Sequence, residues 1–93
     1  MEKLVTIVKQ LPLQERNYTD KNGQMQVFAS VGFELTDGID SFYAEIQGND
    51  ARVVPQYDLS VSHIVQCQMN ARQFQDQQGR TRYDNVIRII KMV

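Results

Sequence analysis

Arginines and aromatic residues are concentrated in one segment, 72–83, whose sequence is Arg-Gln-Phe-Gln-Asp-Gln-Gln-Gly-Arg-Thr-Arg-Tyr. Asp, Gln and Gly form a turn signal between two strand-like runs, and this pattern predicts a β-hairpin. Guanidinium groups bind phosphates, and aromatic rings stack on nucleobases. The segment is therefore predicted to be a basic hairpin that holds a single-stranded nucleic acid.

The net charge of −1 conceals an uneven distribution of charge along the chain. Residues 1–58 hold five basic and nine acidic side chains, whereas residues 59–93 hold five basic and two acidic ones. Because local charge decides where a polyanion binds, the basic part is the candidate for contact with nucleic acid. A solvated pair of strands that binds nothing can carry the same arginines. Charge alone therefore does not distinguish that interpretation from nucleic-acid binding.

Strands must position these residues, because short apolar or alternating runs are separated by turn signals almost throughout the chain. Residues 24–36 alternate between apolar and polar types, except that Phe28 falls on the polar face. Pro12 lacks a backbone N–H, so the first run is predicted to have an edge, a bulge or a bend there. The predicted strands cover residues 3–18, 24–36, 40–47, 60–75 and 80–92. Turns are predicted at 20–23, at 37–38 and at 48–50.

Five short strands, tight turns and no long helix predict a small all-β barrel or sandwich, and residues 1–93 fit a single domain. We predict an OB-fold, which is a five-stranded, partly open Greek-key barrel that binds oligonucleotides on one face. Residues 49–59, between the third and fourth strands, are predicted to form at most a short helical turn. Segment 86–93 has apolar residues on both faces, which predicts that it packs against something further, such as a second subunit.

Other kinds of chemistry find little support in the sequence. The single cysteine, Cys67, excludes an intrachain disulfide, and with the single histidine, His63, it provides too few ligands for a zinc site. We expect Cys67 to be a small buried hydrophobe and His63 to be a partly exposed strand residue. The chain has no glycine-rich phosphate-binding motif and no catalytic constellation, so we expect neither an enzyme nor a cofactor. Without a long apolar run or a signal-peptide pattern, we expect a cytoplasmic protein with no membrane segment.

Segment 72–83 resembles the last hairpin of bacterial single-stranded DNA-binding proteins, in which an Arg-x-aromatic-x-Asp-x-x-Gly-x-x-Arg-Tyr run is typical. Residues 4–11 and 16–24 are similar to that family's first strand and to its Arg-Tyr-Thr-x-x-Gly turn. Residues 42–51 lie where the family has an aromatic residue, a strand and a Gly-Lys-x-Ala helix start. The order and spacing of these pieces hold over nearly the whole chain, which is also similar to primosomal replication protein N, an OB-fold of this size.

The sequence departs from the pattern of that family at several positions. Lys9 stands where glycine is usual, and Gln47 stands where a base-stacking phenylalanine is frequent. The chain contains no tryptophan, although tryptophans are the family's main stacking residues. The 93 residues end at Val93 without the acidic tail that recruits replication and repair enzymes in that family.

The resemblance implies a homodimer or homotetramer that binds single-stranded DNA with little sequence preference, in replication, repair or recombination. The candidate binding residues are arginines for phosphates and rings for bases: Arg16, Arg72, Arg80, Arg82, Phe42, Phe74, Tyr18 and Tyr43. For Phe74, packing across the hairpin near Tyr83 is the alternative to stacking. An OB-fold adaptor between proteins, with nucleic-acid binding lost, is the alternative function, and RNA is a further candidate ligand.

Overall fold

The computed structural model describes all 93 residues, of which 65% lie in strands and 6% in a helix, so the chain is all-β as predicted. The strands are β1 (Glu2–Gln10), β2 (Gln14–Thr19), β3 (Met25–Thr36), β4 (Ser41–Gln47), β5 (Ser62–Gln75) and β6 (Thr81–Met92). A short 3-10 helix, Gly48–Val53, joins β4 to β5, which confirms the predicted helical turn. No helix of the structure has both the length and the apolar character that crossing a membrane requires.

Five of the strands form a ring in the order β1, β3, β4, β6, β5 and back to β1. β1 closes the ring because it pairs antiparallel with β3 and also with β5. β4 and β6 meet through a single parallel pairing, Glu45 with Arg88, so the ring is not evenly closed. This arrangement is the partly open barrel of the predicted OB-fold.

The predicted first strand is divided in two at Pro12, which confirms the interruption expected there. The Leu11 N–H still donates to the carbonyl oxygen of Gly32 at 2.9 Å, but Pro12 has no N–H with which to continue the ladder. The chain resumes pairing as β2, whose partner is the first half of β3. The sheet therefore has a sixth strand outside the ring, which pairs with β3 beyond the point where β1 ends.

The hydrophobic core lies inside the ring and follows from the alternation of the strands. In β3, Ala29, Val31, Phe33 and Leu35 are all buried, as the alternation of residues 24–36 predicts. Met25 and Val27 share that face but are exposed, because this part of β3 pairs only with β2. The rest of the core is supplied by the other elements: Val5, Ile7, Ala44, Ile46, Ala51, Val65, Cys67 and Ile89. The prediction that Cys67 is a buried hydrophobe is confirmed.

The prediction that His63 is partly exposed is wrong, because the side chain is only 8% exposed. β5 alternates so that His63 shares the inward face with Val65. Its Nε2 lies 2.9 Å from the Asp58 carbonyl oxygen, and its Nδ1 lies 3.3 Å from that of Val93. An edge contact with the Tyr57 ring, at 5.3 Å between centroids, completes the packing. These backbone partners allow a polar ring to occupy a buried strand position.

Candidate nucleic-acid interface

Two hairpins extend from the barrel beyond the hydrophobic core. The first arm, residues 14–28, consists of β2 and the start of β3, and nearly all of its side chains are exposed. The second arm, residues 70–86, consists of the end of β5 and the start of β6, and it is similarly exposed. The second arm is the basic hairpin predicted from the sequence.

Both arms end in the same kind of turn. In each, the Oδ1 atom of an aspartate, Asp20 or Asp76, accepts 2.9 Å hydrogen bonds from backbone N–H groups two and four residues further on. The glycine three residues after each aspartate has positive φ, 78° at Gly23 and 76° at Gly79. Glycine adopts this conformation without steric cost, which explains why both turns have the pattern Asp-x-x-Gly.

These hydrogen bonds make the turns sensitive to acid. The backbone N–H of Gln24 and the Gln26 side chain lower the pKa of Asp20, and the backbone N–H of Arg80 and the Arg82 guanidinium lower the pKa of Asp76. A carboxylate whose pKa is lower in the folded state stabilises that state above its unfolded pKa of about 4. The contribution is lost as the pH falls through the lower, folded value.

We therefore expect both turns to loosen below about pH 4, before the barrel unfolds. In an NMR titration, the amide resonances of Gln24 and Arg80 should shift together with the two aspartates. The amide of Val65, a fully buried core residue, should stay in place until global unfolding. Turn amides that move only together with Val65 would contradict this expectation.

A groove of about 580 Å³ lies between the two arms, over the outer face of β4. The first arm contributes Arg16 and Phe28, and the floor on β4 consists of Tyr43, Glu45 and Gln47. The second arm contributes Arg72, Asp84, Asn85 and Val86, and Ile87 follows them on β6. In an OB-fold, oligonucleotides bind on the face of the second and third barrel strands, here β3 and β4, between the two hairpin loops that flank it.

Each arm carries a phenylalanine with a guanidinium group beside its ring. The Cζ atom of Arg16 lies 6.0 Å from the ring centroid of Phe28, and that of Arg72 lies 5.8 Å from the centroid of Phe74. Both distances are near the outer limit for a cation–π contact. Phe28 lines the groove, whereas Phe74 lies further along the second arm and is 42% exposed. A ring and a cation therefore line the groove on the first-arm side, and a cation lines it on the second-arm side, with Phe74 further out on that arm.

Tyr43 lies across the backbone of Gly32 on the outer face of the barrel. A Cβ atom at position 32 would be 2.7 Å from Cζ of Tyr43, so only glycine leaves room for the ring. Partial burial, and then the neighbouring Glu45 carboxylate, raise the pKa of Tyr43. Because the side chain remains half exposed and lines the groove, it offers a stacking surface at the centre of this face.

Two of the predicted phosphate-binding arginines already have carboxylate partners. Arg72 binds Asp84 through two parallel contacts, Nε to Oδ1 at 3.1 Å and Nη2 to Oδ2 at 2.7 Å. Arg82 Nε donates to Asp76 Oδ2 at 3.0 Å. A phosphate would have to share these guanidinium groups with the aspartates or displace them. The other two predicted arginines, Arg16 and Arg80, make no ion pair and are free to contact a phosphate.

The structure brings most of the remaining predicted residues to one side of the barrel. Tyr18 is half exposed on the first arm, in a hollow that it shares with Arg16 and Phe28.

Phe74 pairs across the hairpin with Arg82, while Tyr83 pairs with Gln73. Because neighbouring residues alternate between faces, Phe74 and Tyr83 lie on opposite faces of the second arm. The alternative that these two rings pack together is therefore wrong.

Phe42 is the predicted stacking residue that the structure places differently. It is half-buried and packs against the core, whereas its neighbour Tyr43 lies on the outer face. The physical reason is the alternation of β4, which puts Phe42 on the same face as the buried Ala44 and Ile46. We therefore leave Phe42 out of the interface.

The sequence interpretation missed several residues in or beneath the groove, and three of them had a signal in the sequence. Phe28 was the one large apolar residue on the polar face of its strand. Gly32 stands inside a strand, which often marks the close approach of another group. Asp84 lies opposite Arg72 in a hairpin whose register follows from the position of its turn.

Comparison with known proteins gives no identification. No family model matches the chain. No curated protein matches it either. The resemblance to single-stranded DNA-binding proteins therefore stays an interpretation of the sequence, and a functional proposal has to rest on the groove and its residues.

Proposed function

We propose that this protein binds single-stranded DNA in the groove between its two arms. The observation that carries the proposal is the position of the groove, on the face of β3 and β4 and between the two hairpin turns, where OB-folds bind oligonucleotides. The side chains there suit the ligand, because Arg16 and Arg72 are cations and Phe28 and Tyr43 are rings.

In this proposal the arms hold the phosphates and the rings hold the bases. Arg16 and Arg80 have no ion pairs, and they contact the backbone of the strand first. Tyr43 and Phe74 stack on bases with little dependence on sequence, since every base has a π-face. Such a protein would act in the cytoplasm, where DNA is exposed as single strands during replication, repair or recombination.

One observation favours the adaptor alternative. Within the groove, the positive charges of Arg16 and Arg72 are matched by the negative charges of Glu45 and Asp84. An OB-fold that joins proteins needs no excess of positive charge, whereas binding to a polyanion gains most of its affinity from such an excess. Affinity for single strands at low salt separates the two functions.

The test of phosphate binding is a salt titration of the arginine variants. We expect Arg16→Ala or Arg80→Ala to weaken binding of a labelled single-stranded oligomer. Each should also flatten the plot of log affinity against log salt by about 0.7 for each phosphate that the variant no longer neutralises. Lys91→Ala is the matched control, because Lys91 lies beside the 3-10 helix and away from the arms.

If the slope of log affinity against log salt changes equally in Lys91→Ala and in the arginine variants, binding depends only on the net charge of the protein. An unchanged slope in both arginine variants would place the strand on another surface. If the folded wild type has no affinity even at low salt, the adaptor function replaces DNA binding.

Self-association stays a prediction, and the structure indicates where to test it. Leu4 and Ile64 are directly opposite each other on the outer face of β1 and β5, and both side chains are at least 47% exposed. Val93 is exposed beside them, and its N–H donates to the Ile64 carbonyl oxygen at 3.0 Å. Apolar side chains grouped in this way are typical of a protein interface.

We expect light scattering at micromolar concentration to give at least the mass of a dimer. Leu4→Glu should shift the mass toward that of the monomer, because it would place a charge in the apolar contact. Tyr83→Glu is the control, since Tyr83 is 69% exposed and pairs with Gln73, nine residues further along β5 than the Ile64 that faces Leu4. A monomeric wild type would contradict the prediction.

A further inference from the structure

The floor of the groove contains an acidic side chain that the proposed function does not use. Glu45 is half-buried and lies between Tyr43 and Gln47 on the outer face of β4. It has no ion-pair partner within 4.0 Å, even though Arg88 is its pairing neighbour on β6. The other groove carboxylate, that of Asp84, is held by Arg72.

A carboxylate that makes no ion pair at this position, and that lies beside the Tyr43 side chain, constrains how a DNA strand could lie in the groove. Phosphates near Glu45 would be repelled, so the backbone of the strand would have to follow the arms. The bases would then point toward β4, where Tyr43 offers a ring surface. This orientation brings the edge of a stacked base close to Glu45, two residues further along the same face.

A carboxylate distinguishes bases by the groups on their edges, because in its ionised form it only accepts hydrogen bonds. Cytosine carries an exocyclic amino group at N4 and adenine carries one at N6, and both groups are donors. Thymine and uracil carry the O4 acceptor at the corresponding position. A carboxylate oxygen facing O4 is repelled, whereas one facing an amino group accepts a charge-assisted hydrogen bond.

We propose that Glu45 is a specificity-determining residue, which makes the groove prefer cytosine and adenine over uracil and thymine. This inference rests on the proposed binding of single-stranded DNA in the groove. It goes further because a surface of rings and arginines alone would accept all bases about equally. Tyr43 positions the base, and Glu45 reads its amino edge.

The test compares labelled oligomers of deoxycytidine and deoxyuridine of about ten nucleotides, a length within the range that one OB-fold covers. The two bases are pyrimidines of equal size without a methyl group. By fluorescence anisotropy near neutral pH, we expect the wild type to bind the cytidine oligomer about 3- to 10-fold more tightly. Glu45→Gln should bring the ratio close to one, because an amide both donates and accepts.

Glu34→Gln is the matched control for charge. Glu34 is exposed on the same sheet, directly opposite Tyr43, but it does not line the groove. Its replacement removes the same charge as Glu45→Gln, so it should change both affinities alike and keep the preference for cytidine.

The outcomes separate the inference from the proposed function. Measurable binding of both oligomers with equal affinity would overturn the role of Glu45 while leaving the proposed function in place. A preference for cytidine that survives in Glu45→Gln would overturn it as well. No binding of either oligomer at low salt would remove the proposed function, and the inference with it.

Discussion

Replacing Tyr43 and Phe74 together by alanine should weaken the binding of single-stranded DNA about 30-fold or more. Each base that stacks on an aromatic ring contributes about 1–3 kcal/mol. Tyr43 lies on β4 and Phe74 on the second arm, so the two losses should add to at least about 2 kcal/mol. The salt dependence should stay nearly unchanged, since a ring releases no counterions.

Tyr83→Ala is the control for this double variant. The Tyr83 side chain is 69% exposed, but it lies on the opposite face of the second arm from Phe74. Its removal should leave the affinity unaltered. Gly32→Ala tests the same stacking surface in a second way, because the added methyl group displaces the Tyr43 ring but does not remove it. A folded double variant that binds as tightly as the wild type would contradict the stacking role.

Phe33→Ala should lower the free energy of unfolding by about 3–5 kcal/mol, the usual cost of removing a buried phenylalanine. Phe33 is fully buried on β3, and its ring meets the Tyr57 ring edge-on at 6.0 Å between centroids. The loss is a large part of the roughly 5–15 kcal/mol by which a small domain is stable. Urea denaturation followed by circular dichroism measures it.

Phe28→Ala is the matched control on the same strand. Phe28 is half-buried on the outer face, so its loss removes less apolar surface from the protein and leaves no closed cavity. It should destabilise the fold much less than Phe33→Ala and should instead weaken DNA binding. Equal destabilisation by the two changes would show that the core has been assigned to the wrong face of β3.

The barrel could be predicted because its signals are local. Alternation along residues 24–36 puts Phe33 on the inward face before any partner strand is known. The turns at Gly23 and Gly79 follow from their Asp-x-x-Gly patterns. Once the second turn is fixed, counting back along both strands puts Arg72 opposite Asp84. That ion pair was therefore within reach of the sequence, although it was not predicted.

The groove could not be predicted in the same way, because it depends on strands that are distant in sequence. Arg16 and Phe28 face each other within one hairpin, as Arg72 and Asp84 do, but they line a groove only because that hairpin lies beside β4 and the second arm. Tyr43 meets the second arm only because β4 lies next to β6 in the ring. His63 was misjudged for a similar reason, since the carbonyl groups that satisfy its ring come from other parts of the chain.

Positive and negative charges nearly balance in the groove, which limits how strongly it can bind the phosphates of a ligand. Arg72 and Arg82 are each paired with an aspartate, so few cations remain to bind phosphates and give affinity. Stacking should then supply a larger share of the binding free energy than it does on a strongly basic surface. We therefore expect a shallow salt dependence, which reflects the few unpaired cations such as Arg16 and Arg80.

The most direct test of this account is a titration of the wild-type protein with a labelled single-stranded oligomer of mixed sequence and with its duplex. Anisotropy is measured at low and at high salt, and circular dichroism verifies that the protein is folded. The account predicts binding of the single strand at low salt, weaker binding as the salt rises, and much weaker binding of the duplex, whose bases are not free to stack on Tyr43. A folded protein that binds neither oligomer at low salt, or that binds both equally, would contradict it.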